Sequence, residues 1–174
     1  PSQDFNKWDL DFLTDYIVNT HHRYVKDNVE IIAGLASKVA QHHGESHPEL
    51  PGLAANIHRF LQEMVHHMTK EENVLFPNIK QLVAKKENPE AGITLQPGFV
   101  RMAVKMMQME HEISGEDLKY FRKITGDYAL PPDACNSYTY LFEKMREFEN
   151  DLFQHIHLEN NILFPKAVEM DVLG

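Results

Sequence analysis

The chain has 174 residues, 17 Lys and Arg against 26 Asp and Glu, a formal charge of −9, eleven His and one Cys. That length suits one domain with a substantial core, expected to span residues 1–174, and a hydrophobic content of 43% excludes a disordered chain. The acidic balance argues against nucleic acid or an anionic membrane as partner. One Cys excludes an intrachain disulfide, a cysteine-based zinc site and a cysteine-held iron–sulfur cluster.

Pro1-Ser2-Gln3-Asp4 carries no basic or apolar leader region, so no signal peptide is expected and a reducing cytoplasm is the expected setting. No apolar run approaches the ~18 residues that span a bilayer. Gly and Pro clusters at 44–52, 88–98 and 126–132 divide the chain into segments of about 9–42, 53–86, 99–125 and 133–169. Each segment is rich in helix formers, and none alternates with period two.

In chain order, apolar stripes at helical spacing run through Val18, His22, Val25, Val29, Ile32, Ala36 and Val39, then through Ile57, Phe60, Met64, His67, Glu71 and Val74. The third stripe is Val100, Val104, Met107, His111, Ser114, Leu118 and Phe121; the fourth is Leu141, Met145, Phe148, Leu152, His155, Glu159 and Ile162. Four amphipathic helices joined by short loops predict an all-α, up-down-up-down four-helix bundle. Pro77 and Pro165 are expected to end or kink their helices. Met64, Met68, Met106, Met107 and Met109 read as core filler, Cys135 as inert, and His42, His43 and His47 as a solvated loop.

The second and fourth helices repeat one motif. His67-x3-Glu71-Glu72-Asn73-Val74-Leu75-Phe76-Pro77 and His155-x3-Glu159-Asn160-Asn161-Ile162-Leu163-Phe164-Pro165 both fit H-x3-E-x-N-[VI]-L-F-P. The first and third helices carry His22 and His111 in their stripes, so the two halves read as copies of one helical hairpin, an internal two-fold pseudo-repeat. Residues i and i+4 share a helix face, so His67 and Glu71 can reach one metal together, as can His155 and Glu159. Singly, a His-x3-Glu pair is usually a solvated helix pair; duplicated and in phase with apolar stripes, the set points to metal. Two carboxylates facing each other in a dry interior repel and are costly to ionise, and two cations between them remove that conflict. Imidazole with carboxylate suits iron, manganese or zinc. His22 is preferred to His21, which lies about 100° off the stripe. Glu63 and Glu110 are near enough to assist the site, but a solvated helix face is the expected place of both.

At these residues the chain resembles the hemerythrin-like superfamily, and most closely the repair-of-iron-centres family of di-iron proteins linked to iron–sulfur cluster repair. The likeness runs from about Trp8 to Val168 and includes Glu110-His111-Glu112 and Pro131-Pro132-Asp133-Ala134-Cys135. The resemblance implies a non-haem centre of two Fe ions, oxo- or hydroxo-bridged, with His22, His67, His111 and His155 as ligands and Glu71 and Glu159 as bridges. The repeat suggests that His22 and His67 hold one iron while His111 and His155 hold the other.

Oxygen-carrying hemerythrins have a fifth His one turn after the lone His of the third helix, where this chain has Gly115; that glycine is expected to leave room for a small ligand. Carriers also use an aspartate bridge where this chain has Asn160, and Glu159 takes that role. Repair proteins of the family often begin with a small domain bearing paired cysteines, and no such pair is present in these 174 residues. The implied function is support of iron–sulfur cluster repair under nitrosative or oxidative stress, by iron donation, nitric oxide chemistry or both. The implied partners are nitric oxide, oxygen or peroxide, and damaged iron–sulfur proteins as iron acceptors, with the chain a monomer or homodimer. The alternatives are an oxygen, nitric oxide or redox sensor, an oxygen-binding module, and a ferroxidase or iron-storage protein.

Overall fold

Four long helices surround a mixed apolar and polar interior in the computed structural model, which describes residues 3–173. Pro1 and Ser2, part of the segment read for a leader, lie outside the described residues. Helix α1 covers residues 10–43, α2 residues 49–87, α3 Phe99–Thr125 and α4 residues 136–173. A short 3-10 turn, Phe5–Lys7, precedes them, and no strand occurs among the described residues. α1 packs on α2 and α4, and α3 packs on α2 and α4, so consecutive helices are neighbours around a ring. None of these helices is long and apolar enough to cross a membrane.

The ends follow local chemistry. α3 starts after Gly98 at φ 77° and stops at Gly126 at φ 59°, left-handed positions that favour glycine. Its first turn is capped from another helix: Asp171 of α4 accepts the backbone N–H of Gly98 at 3.1 Å and of Arg101 at 3.0 Å. α2 begins at Glu49, earlier than the Gly/Pro cluster suggests. Pro51 falls in its first turn, where a missing N–H costs little.

Three of the four helices contain one π turn. These are Val18–His22 in α1, Glu71–Leu75 in α2 and Glu159–Leu163 in α4. In each, a backbone N–H reaches back five residues: Arg23 to Val18, Phe76 to Glu71 and Phe164 to Glu159. The two Leu-Phe-Pro segments therefore do not end their helices, because the widened turn before each proline lets the chain continue.

Each π turn also shifts the phase of the apolar stripe. Val74, placed in the stripe by a regular period, is 43% exposed, while Leu75 and Phe76 are buried. In α1 the core steps from Ile17 to His22, and His21 becomes buried as well, against the regular-helix expectation. α3 has no such turn, and its stripe stays in phase.

The interior is layered. One hydrophobic cluster includes Val25, Ile32, Ile57, Phe60, Leu118, Phe121, Phe148 and Leu152. The other includes Leu13, Ile17, Leu75, Ile79, Val100, Leu163 and Phe164. Between them in all four helices lie buried polar residues: His22, His67, Glu71, His111, His155 and Glu159. Of the methionines expected to fill the core, Met64, Met68 and Met107 do so; Met106 and Met109 are 55% and 57% exposed. They sit on the outer face of α3, away from the stripe that contains His111.

Candidate metal centre

All four helices contribute to the polar layer. α1 supplies His22, α2 supplies His67 and Glu71, α3 supplies His111, and α4 supplies His155 and Glu159. Glu71 and Glu159 are each the first residue of a π turn. The structure brings these six together as two overlapping groups. His22, Glu71, His155 and Glu159 have donor atoms within 4.8 Å of one another, and so do His67, Glu71, His111 and Glu159.

This grouping corrects the expected pairing. His22 lies with His155, and His67 with His111, so each group takes one histidine from each half of the chain. The repeat alone is silent on this point, because a two-fold axis relating the halves exchanges the groups under either pairing. The packed side chains decide it, by bringing His22 to His155 and His67 to His111 around the shared carboxylates.

The two carboxylates are common to both groups. Glu71 Oε1 lies 3.0 Å from His67 Nε2, 3.4 Å from His22 Nε2 and 3.8 Å from His155 Nε2. Glu159 Oε1 lies 2.9 Å from His155 Nε2 and 3.1 Å from His111 Nε2. All four imidazoles thus present Nε2 to the carboxylates.

A metal fits this donor set. Both oxygens of Glu71 and Glu159, and both ring nitrogens of His22 and His155, are buried without a hydrogen-bond partner. Buried polar atoms are rarely left unpaired in a native protein, and here they converge on one layer. The Nε2 atoms of His67 and His111 face each other at 3.1 Å. Two nitrogens each ~2.1 Å from one cation at a right angle lie about 3.0 Å apart. Without a cation, burial would raise the Glu71 pKa, but its contacts with Glu159, His67, His155 and His22 outweigh this and hold it well below the ordinary range. Burial lowers the His155 pKa, and Glu159 and Glu71 outweigh it, pushing it up to about 10. Burial likewise lowers His67 and Glu71 outweighs it, so His67 is also raised. The carboxylate layer therefore favours positive charge, from a proton or a metal.

The residues behind the histidines were only partly legible. His111 Nδ1 donates to Asn160 Oδ1 at 2.8 Å, which leaves Nε2 free as a ligand atom. His67 Nδ1 lies 3.3 Å from Glu110 Oε1, and Glu110 is paired with Lys70 at 2.6–2.7 Å. Glu110 is thus a half-buried partner of the site and not a residue of a solvated face. Glu63 pairs with Arg59 on the surface. His22 Nδ1 lies 3.8 Å from Glu72, which is bound by Lys26. His21 hydrogen-bonds Asp151 at 3.0 Å and stacks on His155, with ring centroids 5.7 Å apart. A surface cavity of about 420 Å³, lined by Phe5, Tyr16, His21 and Phe153, reaches His21. A Cβ at Gly115 would meet no atom within 4 Å. His42 and His43, expected in a loop, end α1; His43 and the loop residue His47 approach Asp133 at 4.0 and 2.9 Å, and no third metal-binding cluster forms among the described residues.

Comparison with known proteins agrees with this geometry. Residues 14–167 match the family described as hemerythrin HHE cation binding domain. The chain is 34% identical over 168 residues to the iron-sulfur cluster repair protein YtfE of Yersinia pseudotuberculosis serotype IB (strain PB1/+), covering 96% of this chain and 70% of that protein. The same values hold for the iron-sulfur cluster repair protein YtfE of Yersinia pestis (strain Pestoides F). Such a relationship implies a di-iron centre, and the buried His/Glu cluster fits a metal site. The chain belongs to the hemerythrin HHE cation-binding domain family.

Proposed function

We propose that the chain supports repair of damaged iron–sulfur clusters through two iron ions held in the polar layer. His22 and His155 would hold one iron and His67 and His111 the other, with Glu71 and Glu159 as donors common to both. The observation that carries this reading is the set of buried, unpartnered carboxylate and imidazole atoms shared between two overlapping groups. The names of the relatives, iron-sulfur cluster repair proteins, supply the physiological direction.

When bound, iron supplies a change of oxidation state and open positions for a small ligand such as nitric oxide, oxygen or peroxide. The protein's part is positioning and charge. Asn160 and the Lys70–Glu110 pair fix the rings of His111 and His67 so that Nε2 faces inward. Phe76 stacks on His22 and Phe164 on His111, closing one side of the layer with apolar rings. Damaged iron–sulfur proteins are the acceptors in this reading, and a reducing cytoplasm is its setting.

The test mixes the reduced, iron-loaded chain with an acceptor lacking its cluster and follows iron transfer and acceptor activity. Transfer, or turnover of nitric oxide, supports the proposal; neither overturns it. A second reading, a sensor or carrier of a small ligand, is favoured by the open space at Gly115. Reversible oxygen binding to a stable reduced centre, with no iron transfer, would select it.

A further inference from the structure

His21 is buried, yet it is a donor in neither metal group. Its ring lies at 9° to that of His155, with centroids 5.7 Å apart, and Asp151 holds it there through Nδ1. Of the other rings packed on the four donor histidines, Phe76 and Phe164 lead to no further ring among the described residues. His21 does. Tyr16 meets it with centroids 6.1 Å apart, and Trp8 meets Tyr16 at 5.0 Å. Trp8 is the one tryptophan of the chain. Tyr16 and Trp8 are half-buried, and the exposed Phe12 lies 4.8 Å beyond Trp8. A continuous file of rings therefore runs from the polar layer to the surface at the start of α1. Packing asks only for apolar bulk here. Tyr and Trp add a polar O–H or N–H and an electron-rich ring that gives up an electron readily.

We infer that Trp8, Tyr16 and His21 form an electron path to His155, which completes the reduction of hydrogen peroxide when the iron pair can give only one electron. The inference rests on the iron reading above. Peroxide needs two electrons and two protons to become two waters. Both electrons are available from two ferrous ions, but only one from a mixed ferrous–ferric pair. The second then comes from Tyr16, through the stacked rings of His21 and His155. The phenol proton leaves to solvent through the cavity of about 420 Å³ that Tyr16 and His21 line. One peroxide, one ferrous ion, one tyrosine and one proton thus give two waters, one ferric ion and a tyrosyl radical. Trp8 next returns an electron to Tyr16; the indole proton leaves to solvent, and a solvent proton restores the phenol. The radical now stands at the surface, where a soluble thiol gives it a hydrogen atom and becomes a thiyl radical. Directing oxidising equivalents is the protein's part at such a centre. Without the path, the second electron is taken from the ligand histidines.

The test loads the chain with iron, brings it to the mixed ferrous–ferric state, adds hydrogen peroxide and freezes the sample within milliseconds for electron paramagnetic resonance. After repeated additions, peptide mass spectrometry locates the oxidised side chains. A tyrosyl or tryptophanyl radical is expected, with added oxygen concentrated on Trp8. Tyr16→Phe keeps the ring and its packing, so iron content and helical content should hold. Its radical yield should fall several-fold, and oxidation should move to His155 and the other ligands. Trp8→Phe should leave the radical on Tyr16 and lengthen its life several-fold. A purely structural aromatic cluster would respond to neither change. The zinc-loaded chain has the same donors and no change of oxidation state, so it should give no radical and no preference for Trp8. The inference is overturned by an iron-loaded chain without a radical, by an unchanged radical and damage pattern in Tyr16→Phe, or by equal oxidation of Trp8 with zinc. Iron delivery to an acceptor would survive each of these results, whereas a chain that holds no iron overturns both readings.

Discussion

Glu72 and Asn160 occupy the same position of the repeated motif, and each stands behind the lone histidine of its own half. Asn160 accepts from His111 Nδ1 at 2.8 Å, whereas the Glu72 carboxylate lies 3.8 Å from His22 Nδ1 and is held by Lys26. The donor set is near-symmetric, but its support is not. Asn160→Ala is expected to lower metal affinity by about 10–100-fold, the usual cost of losing a partner behind a metal-bound histidine. Glu72→Ala should cost less, because its contact is longer. Chelator competition on the two variants checks this; equal losses would contradict the geometry.

The shared carboxylates should matter more than any single histidine. Glu71→Gln or Glu159→Gln removes a donor common to both groups, so metal content should fall from two ions per chain toward none. His42→Ala, on an exposed part of α1, should leave loading unchanged. Metal analysis after purification decides between them, and equal loading in all three would reject the bridging role.

Protons and metal compete for the same layer. In the metal-free protein the His155 pKa is raised to about 10. Its contribution to stability is complete below about pH 6.5 and is lost as pH climbs through about 10. Glu71 is shifted down, so its contribution is present above its ordinary value of 4.5 and is lost as pH falls below that. The metal-free bundle should therefore be most stable between these limits. Metal needs neutral imidazole, so loading displaces the His155 proton, and the added stability should grow from about pH 6.5 to 9. Unfolding midpoints with and without metal should diverge as pH rises; convergence would contradict the assignment.

Much of this centre was legible from periodicity, because six polar residues interrupt apolar stripes at equivalent places in two halves. Three features were not. The π turns are not reported by any local propensity, so a regular period assigns the exposed Val74 to the core in place of Leu75 and Phe76. The pairing of His22 with His155 depends on how all four helices pack together, and a two-fold repeat is consistent with either answer. Glu110 and Asn160 reach their histidines from a different helix, so no i, i+4 spacing reveals them.

Gly115 and Gly34 both lie inside helices, and an added Cβ meets nothing within 4 Å at either. Alanine at each should stabilise the chain by about 1 kcal/mol, or roughly 2–4 °C in Tm. Only the Gly115 variant should also change the rate at which the loaded protein reacts with nitric oxide. Thermal melts and stopped-flow traces on the pair separate backbone effects from access. Identical nitric oxide kinetics would place Gly115 off the ligand route.

The layering of the interior has a consequence for how the bundle comes apart. Each hydrophobic cluster draws on all four helices, and the two meet across a slab of carboxylates and imidazoles. Cations there join the upper and lower halves into one cooperative unit. Stripped of metal, the halves are linked chiefly by helices that pass through widened turns. Amide hydrogen exchange should then show two protection levels, with Leu13, Ile79 and Phe164 opening separately from Ile57, Phe121 and Phe148. Restoring metal should merge them into one.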